Sequence, residues 1–183
     1  MSNIIGISGS LRKASFNSAL LRAAVDVTPE GATLEIASIQ GIPLYDGDVE
    51  SSTGIPAVVQ NLKDRIAAAD GLLLVTPEYN SSIPGVFKNA IDWLTRPASD
   101  IARVFGSRPV GLIGATPGRG GTIMAQAAWL PVLWTLGTRP WFGPRVIVSG
   151  AKRVFHESGQ LVDEDVRSQL RTYMAGFVGF IAK

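Results

Sequence analysis

Short apolar segments alternate with longer helix-like segments along the whole 183-residue chain. The apolar runs predict strands, and the longer stretches with apolar residues on one side predict helices. The predicted strands are residues 3–8, 33–37, 71–76, 109–115 and 145–149. The predicted helices are residues 17–27, 56–69, 85–94, 122–136 and 163–181, whereas residues 40–55 are interpreted as irregular. Such alternation requires a parallel sheet with helices on both faces.

The number of strands limits how this sheet can be wound. Because crossovers between parallel strands are right-handed, five strands favour the order 2-1-3-4-5. The expected fold is therefore an α/β three-layer sandwich of the flavodoxin-like type. We interpret residues 1–183 as a single domain, since no linker or repeat divides the chain and its length suits one core.

Composition excludes several classes of protein. The chain has no Cys and one His, His156, which excludes disulfides, thiolate nucleophiles and His-rich metal sites. We expect His156 to lie in a surface turn without a role. A net charge of +2 argues against a dedicated nucleic-acid-binding protein. No segment is apolar for long enough to span a bilayer, and the first residues lack the pattern of a signal peptide, so we expect a cytoplasmic protein.

Three loops of unusual composition follow the first, third and fourth predicted strands. They are residues 9–17, 77–84 and 116–121. Strands one, three and four are neighbours in the expected order, and ligands of such sheets bind beyond the carboxyl ends of the strands. The three loops therefore predict one ligand site.

The first loop has the character of a phosphate site. It leads from a strand into a helix N-terminus, where backbone N–H groups and the helix dipole favour an anion. Ser10, Ser15 and Asn17 add short polar groups, and Arg12 adds a cation. The loop lacks both the Walker A pattern and G-x-G-x-x-G, so a terminal monophosphate is favoured over a dinucleotide pyrophosphate. The alternative is a Ser or Asn helix cap without a ligand.

The other two loops suit a flat heterocycle. Pro77 and Pro84 stiffen the second loop, and Tyr79 offers an aromatic face. Its alternative interpretation is an ordinary proline-bounded turn. In the third loop, Gly118 and its neighbouring glycines allow close approach of a ligand to the backbone, although a flexible connection would look the same.

Together these motifs resemble the NAD(P)H-dependent FMN reductase family, which includes quinone and chromate reductases. The resemblance covers residues 4–121 at least. It rests on Gly9-Ser10-Leu11-Arg12 with Ser15 and Asn17, and on Pro77-Glu78-Tyr79-Asn80 with Ile83-Pro84-Gly85, Lys88-Asn89 and Asp92-Trp93. Thr116 departs from the Ser that is more usual in the family, but it keeps the hydroxyl.

The resemblance implies FMN as bound cofactor and a role for each loop. Ser10, Arg12, Ser15 and Asn17 would hold the phosphate. The isoalloxazine and ribityl chain would lie beside Pro77, Glu78, Tyr79, Asn80 and Ile83. The turn formed by Thr116, Gly118, Gly120 and Gly121 would also approach the flavin. No protein residue is expected to act as a catalytic acid or base, and no metal is expected.

The resemblance also implies an activity and an assembly. It predicts ping-pong electron transfer from NADPH or NADH to a small acceptor such as a quinone, free flavin or chromate. Arg12 and Arg119 are candidate contacts for the 2′-phosphate of NADPH, with a solvated arginine as the alternative. Members of the family form homodimers or homotetramers. Some of Trp93, Trp129, Trp134 and Trp141 would lie in such an interface or in the core, while Lys88, Asn89 and Asp92 are interpreted as helix surface.

Two other functions compete with this one. A flavodoxin-type electron carrier would share the fold and the FMN, but such carriers are usually strongly acidic and this chain is not. A hydrolase would need a nucleophile such as Ser8 or Ser10, yet Gly6-Ile7-Ser8-Gly9-Ser10 lacks the spacing of a nucleophile elbow. Turnover of NAD(P)H separates the reductase from the carrier.

Overall fold

Six parallel strands form one sheet in a computed structural model that describes residues 1–183. The strands are β1 (Ser2–Ser8), β2 (Ala32–Ala37), β3 (Gly71–Val75), β4 (Pro109–Ala115), β5 (Arg139–Pro140) and β6 (Val146–Val148). The first four lie in the order β2-β1-β3-β4, and both β5 and β6 pair with β4. The predicted order 2-1-3-4-5 is confirmed, with one strand more than predicted.

Two short strands share the fifth position of the sheet. β5 pairs with Pro109 and Val110 at the start of β4, and β6 pairs with residues 113–115 at its end. Between them, residues 141–145 leave the sheet. The predicted strand 145–149 corresponds to β6. The sequence did not reveal β5 because it has only two residues, Arg139 and Pro140, and proline is unfavourable in a strand.

Helices cover both faces of this sheet. They are α1 (Phe16–Asp26), α2 (Gly47–Thr53), α3 (Ala57–Ala68), α4 (Gly85–Leu94), α5 (Ile101–Val104), α6 (Ile123–Thr135), α7 (Ala151–Val154) and α8 (Glu164–Ile181). A 3₁₀ turn, Ala98–Asp100, precedes α5. The interpretation of residues 40–55 as irregular was wrong for α2. This helix has no buried residue and therefore no apolar periodicity; the Asp46 carboxylate caps it by accepting from Asp48 N–H.

The sheet separates two apolar cores. One lies against α1 and α8 and includes Leu20 and Phe177; the other lies against α3, α4 and α6 and includes Phe87 and Trp129. The middle strand, β3, is buried over all five residues, which explains its continuous apolar sequence. Because β1, β3 and β4 are adjacent and parallel, the loops that follow them meet at one edge of the sheet. No helix has the length and apolar character required to cross a membrane.

Candidate functional site

The loops after β1, β3 and β4 line one open cleft of about 230 Å³. This volume is smaller than the usual range of about 300–1,000 Å³ for small-molecule sites, because the cleft is open to solvent on one side. The cleft is lined by Ser10, Arg12, Ser15, Phe16, Asn17, Pro77, Glu78, Tyr79, Ala115, Thr116 and Pro117. The structure therefore brings together predicted site residues from all three loops.

Not every predicted site residue lines the cleft. Asn80 lies exposed at the tip of the second loop, and Ile83 is half-buried against the core beneath it. Gly118, Gly120 and Gly121 follow the lining residues Thr116 and Pro117 in the third loop, but they are not themselves part of the wall.

Ser15 caps α1 at the floor of the cleft. It is buried, and its Oγ accepts hydrogen bonds from Asn17 N–H at 3.2 Å and Ser18 N–H at 3.3 Å. The helix cap considered for the first loop is therefore present. The Ser15 hydroxyl proton is still available for a ligand, because both of these bonds use the oxygen only as an acceptor.

The rest of the first loop folds back on itself. Arg12 N–H donates to Ser10 Oγ at 3.4 Å, and the Arg12 guanidinium donates to the Ala14 carbonyl at 2.8 Å. These local bonds keep the guanidinium beside the N-terminal end of α1. A cation and the positive end of a helix dipole thus lie together at one end of the cleft.

Asn17 joins the first loop to the end of β4. Its Nδ2 donates to the Ala115 carbonyl at 2.8 Å, and its Oδ1 accepts from Ala115 N–H at 2.9 Å. Asn17 is buried, so the pair satisfies two backbone groups that water cannot reach. This structural role of Asn17 was not predictable from sequence, since no pattern in the chain links residues 98 positions apart.

The second loop contains a tight turn at residues 79–82. Tyr79 N–H donates to the Ser82 carbonyl at 3.1 Å, and Ser82 N–H donates back to the Tyr79 carbonyl at 3.1 Å. Asn80 and Ser81 between them have φ values of 51° and 60°. Two consecutive left-handed residues define a type I′ turn, which places the exposed Tyr79 ring at the mouth of the cleft. Strained backbone of this kind is concentrated at functional sites.

Glu78 connects the second loop to the helix that follows the third loop. Its Oε2 accepts from Met124 N–H at 2.9 Å and from Ala125 N–H at 3.0 Å, which are two of the free donors at the start of α6. A second bond, from Trp129 Nε1 to Thr76 Oγ1 at 3.1 Å, joins the same helix to the end of β3. Neither contact was predicted from the sequence. Together they fix the cleft's second and third loops relative to each other.

The glycines of the third loop fall into two groups. Gly121 has a φ of +64°, and a Cβ atom there would lie 2.0 Å from Ile147 Cγ2, so the fold itself requires glycine. A Cβ atom on Gly118 would meet only Thr116 Oγ1, at 3.7 Å, and one on Gly120 would meet no atom within 4 Å. Nothing within the chain therefore demands glycine at positions 118 and 120.

The motif residues on α4, namely Lys88, Asn89 and Asp92, bond with other residues of this chain. Asn89 Oδ1 accepts from Tyr45 N–H and its Nδ2 donates to the Pro43 carbonyl, both at 2.8 Å. Lys88 forms an ion pair with Asp92 at 2.6 Å, one turn further along the helix. Asn89 thus holds residues 43–45 against α4, whereas Lys88 and Asp92 lie on the helix surface.

Comparison with known proteins decides the family. Residues 2–153 match the family of NADPH-dependent FMN reductases. The chain belongs to this family. The resemblance predicted from the motifs is thereby confirmed, and the protein is an oxidoreductase of the flavin-dependent, NAD(P)H-dependent kind.

Individual relatives resemble the chain over nearly its whole length. An NAD(P)H-dependent FMN reductase of Pseudomonas aeruginosa is 43% identical over 92% of this chain and 89% of its own. A 2-hydroxy-1,4-benzoquinone reductase of a Burkholderia species is 38% identical over 94% and 92%. The solved structure of FerB, a flavoenzyme NAD(P)H:(acceptor) oxidoreductase of Paracoccus denitrificans, superimposes with a TM-score of 0.88 at 32% identity, covering 100% of this chain and 98% of FerB. The flavodoxin-like fold is thereby confirmed.

Proposed function

We propose that this chain, as one domain over residues 1–183, binds FMN in the cleft and passes electrons from NAD(P)H to a quinone-type acceptor. The observation that carries the proposal is the convergence of three loops, after β1, β3 and β4, on one open cleft. The two ends of this cleft differ in chemistry. One end suits a phosphate and the other suits an aromatic ring.

The phosphate end is formed by the first loop and α1. Ser10 and Ser15 offer hydroxyl groups, Arg12 offers a cation, and the helix dipole adds its positive end. Asn17 Nδ2 keeps one hydrogen beyond the one it donates to Ala115. This donor set matches a monophosphate ester, which accepts several hydrogen bonds and carries nearly two negative charges.

The opposite end suits the flavin ring system. Pro77 and Tyr79 supply rigid apolar contact area, and Thr116 supplies a hydroxyl. Gly118 and Gly120 leave space for a ring to approach the backbone, which accounts for glycines that the fold itself does not require. Bound FMN would supply the redox chemistry, namely hydride acceptance from NAD(P)H and electron delivery to the acceptor.

The protein's part in the reaction is to bind and orient the reactants. The cleft contains neither His nor Cys, and its one acidic residue, Glu78, is occupied in capping α6. Donor and acceptor are therefore expected to use the same open face in turn, which is a ping-pong scheme. The quinone reductase among the relatives supports quinones as acceptors; free flavin and chromate are further acceptors that an open site would admit.

We also propose a homodimer, or a homotetramer built from it. Ile123, Leu130 and Trp134 share one face of α6, and Trp134 is 82% exposed. Phe142, in the nearby loop 141–145, is 76% exposed. A second copy of the chain would remove this apolar surface from water.

The visible absorption spectrum of the purified protein tests the proposed reductase directly. We expect a flavin spectrum that bleaches promptly after anaerobic addition of NADPH or NADH, and that returns when a quinone is added. A flavin spectrum that neither nucleotide bleaches would favour the electron carrier. A protein that fails to bind added FMN would contradict the proposal.

A matched pair of variants tests where the flavin binds. Gly120→Val adds a side chain where the chain itself leaves space, so it should raise the Kd for FMN at least tenfold without lowering stability. Gly179→Val, on α8, adds the same side chain at another glycine whose Cβ position has no atom within 4 Å, and it should leave the Kd unchanged. Equal FMN affinity in the two variants would contradict a flavin beside the third loop.

A further inference from the structure

A second groove, of about 640 Å³, adjoins the cleft. Arg12, Ser15 and Phe16 line both, so the two spaces share the first loop as a common wall. The far side of the groove is formed by Lys152 on α7 and by the turn at residues 155–159. Neither the phosphate site nor the flavin end of the cleft uses this side.

The groove is strongly basic. Arg12, Lys13, Arg22 and Lys152 line it, together with the chain's one histidine, His156. Its single acidic residue is Glu157. The whole chain has 17 basic and 15 acidic residues, so the groove departs clearly from the average balance.

None of the four permanent cations is neutralised within the protein. The ion pairs of the chain use other basic residues, namely Lys63, Arg65, Lys88, Arg96, Arg103 and Arg167. The Arg22 guanidinium lies against the turn that contains Gly159, since a Cβ atom on Gly159 would be 2.7 Å from Arg22 Nη2. Gly159 has a φ of +83°, and the absence of a side chain there admits the guanidinium.

The groove also has an aromatic floor. The rings of Phe16 and Phe155 lie with their centroids 5.9 Å apart, and Phe16 is partly exposed. At the rim, the His156 Nδ1 and Ser158 Oγ atoms are 3.0 Å apart, which fixes the imidazole beside the cations. Cations around an aromatic floor are suited to a purine nucleotide that carries more than one phosphate.

We propose that this groove binds the adenosine end of NADPH, with Arg22 and Lys152 recognising its 2′-phosphate. The inference rests on the proposed function, because it concerns the hydride donor of that reaction. It identifies a basis for preferring NADPH over NADH, since the added phosphate carries nearly two negative charges. Of the two arginines considered from sequence, Arg12 lines the groove and Arg119 does not.

The test is a calorimetric titration of the FMN-loaded protein with adenosine 2′,5′-bisphosphate. Loading with FMN first keeps the probe away from the phosphate end of the cleft, and it also separates the two proposals: a protein that takes up no FMN fails the proposed function before the titration begins. The variants are Arg22→Gln and Lys152→Gln. Glu157→Gln is the matched control, since it removes a charge of opposite sign from the same groove.

We expect the wild-type protein to bind the probe, with an affinity that falls as ionic strength rises. Each cation variant should raise the Kd about tenfold, the effect of losing one charge-assisted bond at a partly screened site. The control should bind equally well or more tightly, and the Kd for NADH should change less than twofold in all variants.

Two results would overturn the inference. The first is an FMN-loaded wild-type protein that does not bind the probe; if that protein binds a second equivalent of FMN instead, the groove is assigned to the phosphate of a free flavin acceptor. The second is a Kd for the probe that neither cation variant alters.

Discussion

At the scale of single residues, Gly9 determines how closely the first loop approaches α4. A Cβ atom at this position would lie 2.1 Å from Cδ1 of Phe87, a fully buried ring. Gly9→Ala should therefore lower the free energy of unfolding by about 1–3 kcal/mol, the usual cost of overpacking. Chemical denaturation of the variant and the wild type measures this difference in the free energy of unfolding.

The control for Gly9 is a glycine with free space around it. Gly85, the first residue of α4, has no atom within 4 Å of its Cβ position. Gly85→Ala should keep or slightly raise stability, because alanine favours helix. If the two variants were equally stable, the close contact with Phe87 would not be what requires glycine at position 9.

Ser81 stores strain in the second loop. Its φ of 60° lies in the left-handed region, where a non-glycine residue costs roughly 1–2 kcal/mol. Ser81→Gly should relieve this strain and, after the entropy cost of glycine, stabilise the protein by about 0.5–1 kcal/mol. The shift of the urea midpoint reports the gain. Ser82→Gly, in the same turn without a left-handed φ, should give no gain, and a gain of equal size there would argue against strain at Ser81.

At the scale of secondary-structure elements, α6 depends on a cap supplied from another loop. Its own N-cap residue, Thr122, makes no side-chain capping bond, and Glu78 satisfies Met124 N–H and Ala125 N–H instead. Glu78→Ala should cost about 1 kcal/mol of stability, the typical value of a lost cap. It should also weaken FMN binding, since the third loop leads directly into α6.

The conservative variant separates the cap from other roles of Glu78. Glu78→Gln keeps an acceptor oxygen for Met124 N–H and should recover most of the lost stability and FMN affinity, measured by denaturation and by flavin titration. Equal losses in both variants would mean that the charge, rather than the capping bond, is what matters.

A second inter-element contact links α3 to the 3₁₀ turn. The fully buried Lys63 Nζ lies 2.5 Å from Asp100 Oδ2, and Arg103 Nη2 lies 3.1 Å from the same oxygen. The Lys63 hydrogen bond, followed by that of Arg103, lowers the pKa of Asp100 below its ordinary value of 3.8. The ionised carboxylate thus compensates a buried ammonium group.

This lowered pKa predicts how stability depends on pH. Below about pH 4 the unfolded chain binds a proton at Asp100 that the folded protein does not, so stability falls as pH falls through the folded pKa. Asp100→Asn should remove part of this slope between pH 5 and pH 3 in denaturation midpoints, and it should lower stability at pH 7 by leaving Lys63 unpaired. Identical slopes in variant and wild type would contradict the assignment.

The helices and strands differ in how well the sequence predicts them. The buried strands β1, β3 and β4 were predictable because both of their faces are apolar, and their adjacency brought the three loops together. The exposed helix α2 and the two-residue β5 carry no such pattern. The Asn17–Ala115 pair and the Glu78 cap were not predictable either, because they join residues far apart in the chain through hydrogen bonds that leave no periodicity.

At the scale of the whole molecule, the exposed apolar face of α6 predicts self-association. Trp134→Glu places a charge on the most exposed residue of this face and should halve the molecular mass, or leave monomers, in sedimentation experiments at micromolar concentration. Gln169→Glu, on the exposed side of α8, adds the same charge elsewhere and should not change the mass. A wild-type protein that sediments as a monomer would contradict the dimer.

The interruption between β5 and β6 has a consequence for solubility during storage and overexpression. An unbroken edge strand presents a continuous row of free N–H and C=O groups, which can template the addition of strands from other copies and begin fibril growth. Here residues 141–145 turn away from the sheet, and each remaining edge piece is only two or three residues long. Such short pieces give a growing fibril no continuous register to copy, so this side of the folded protein is protected against amyloid-like polymerisation.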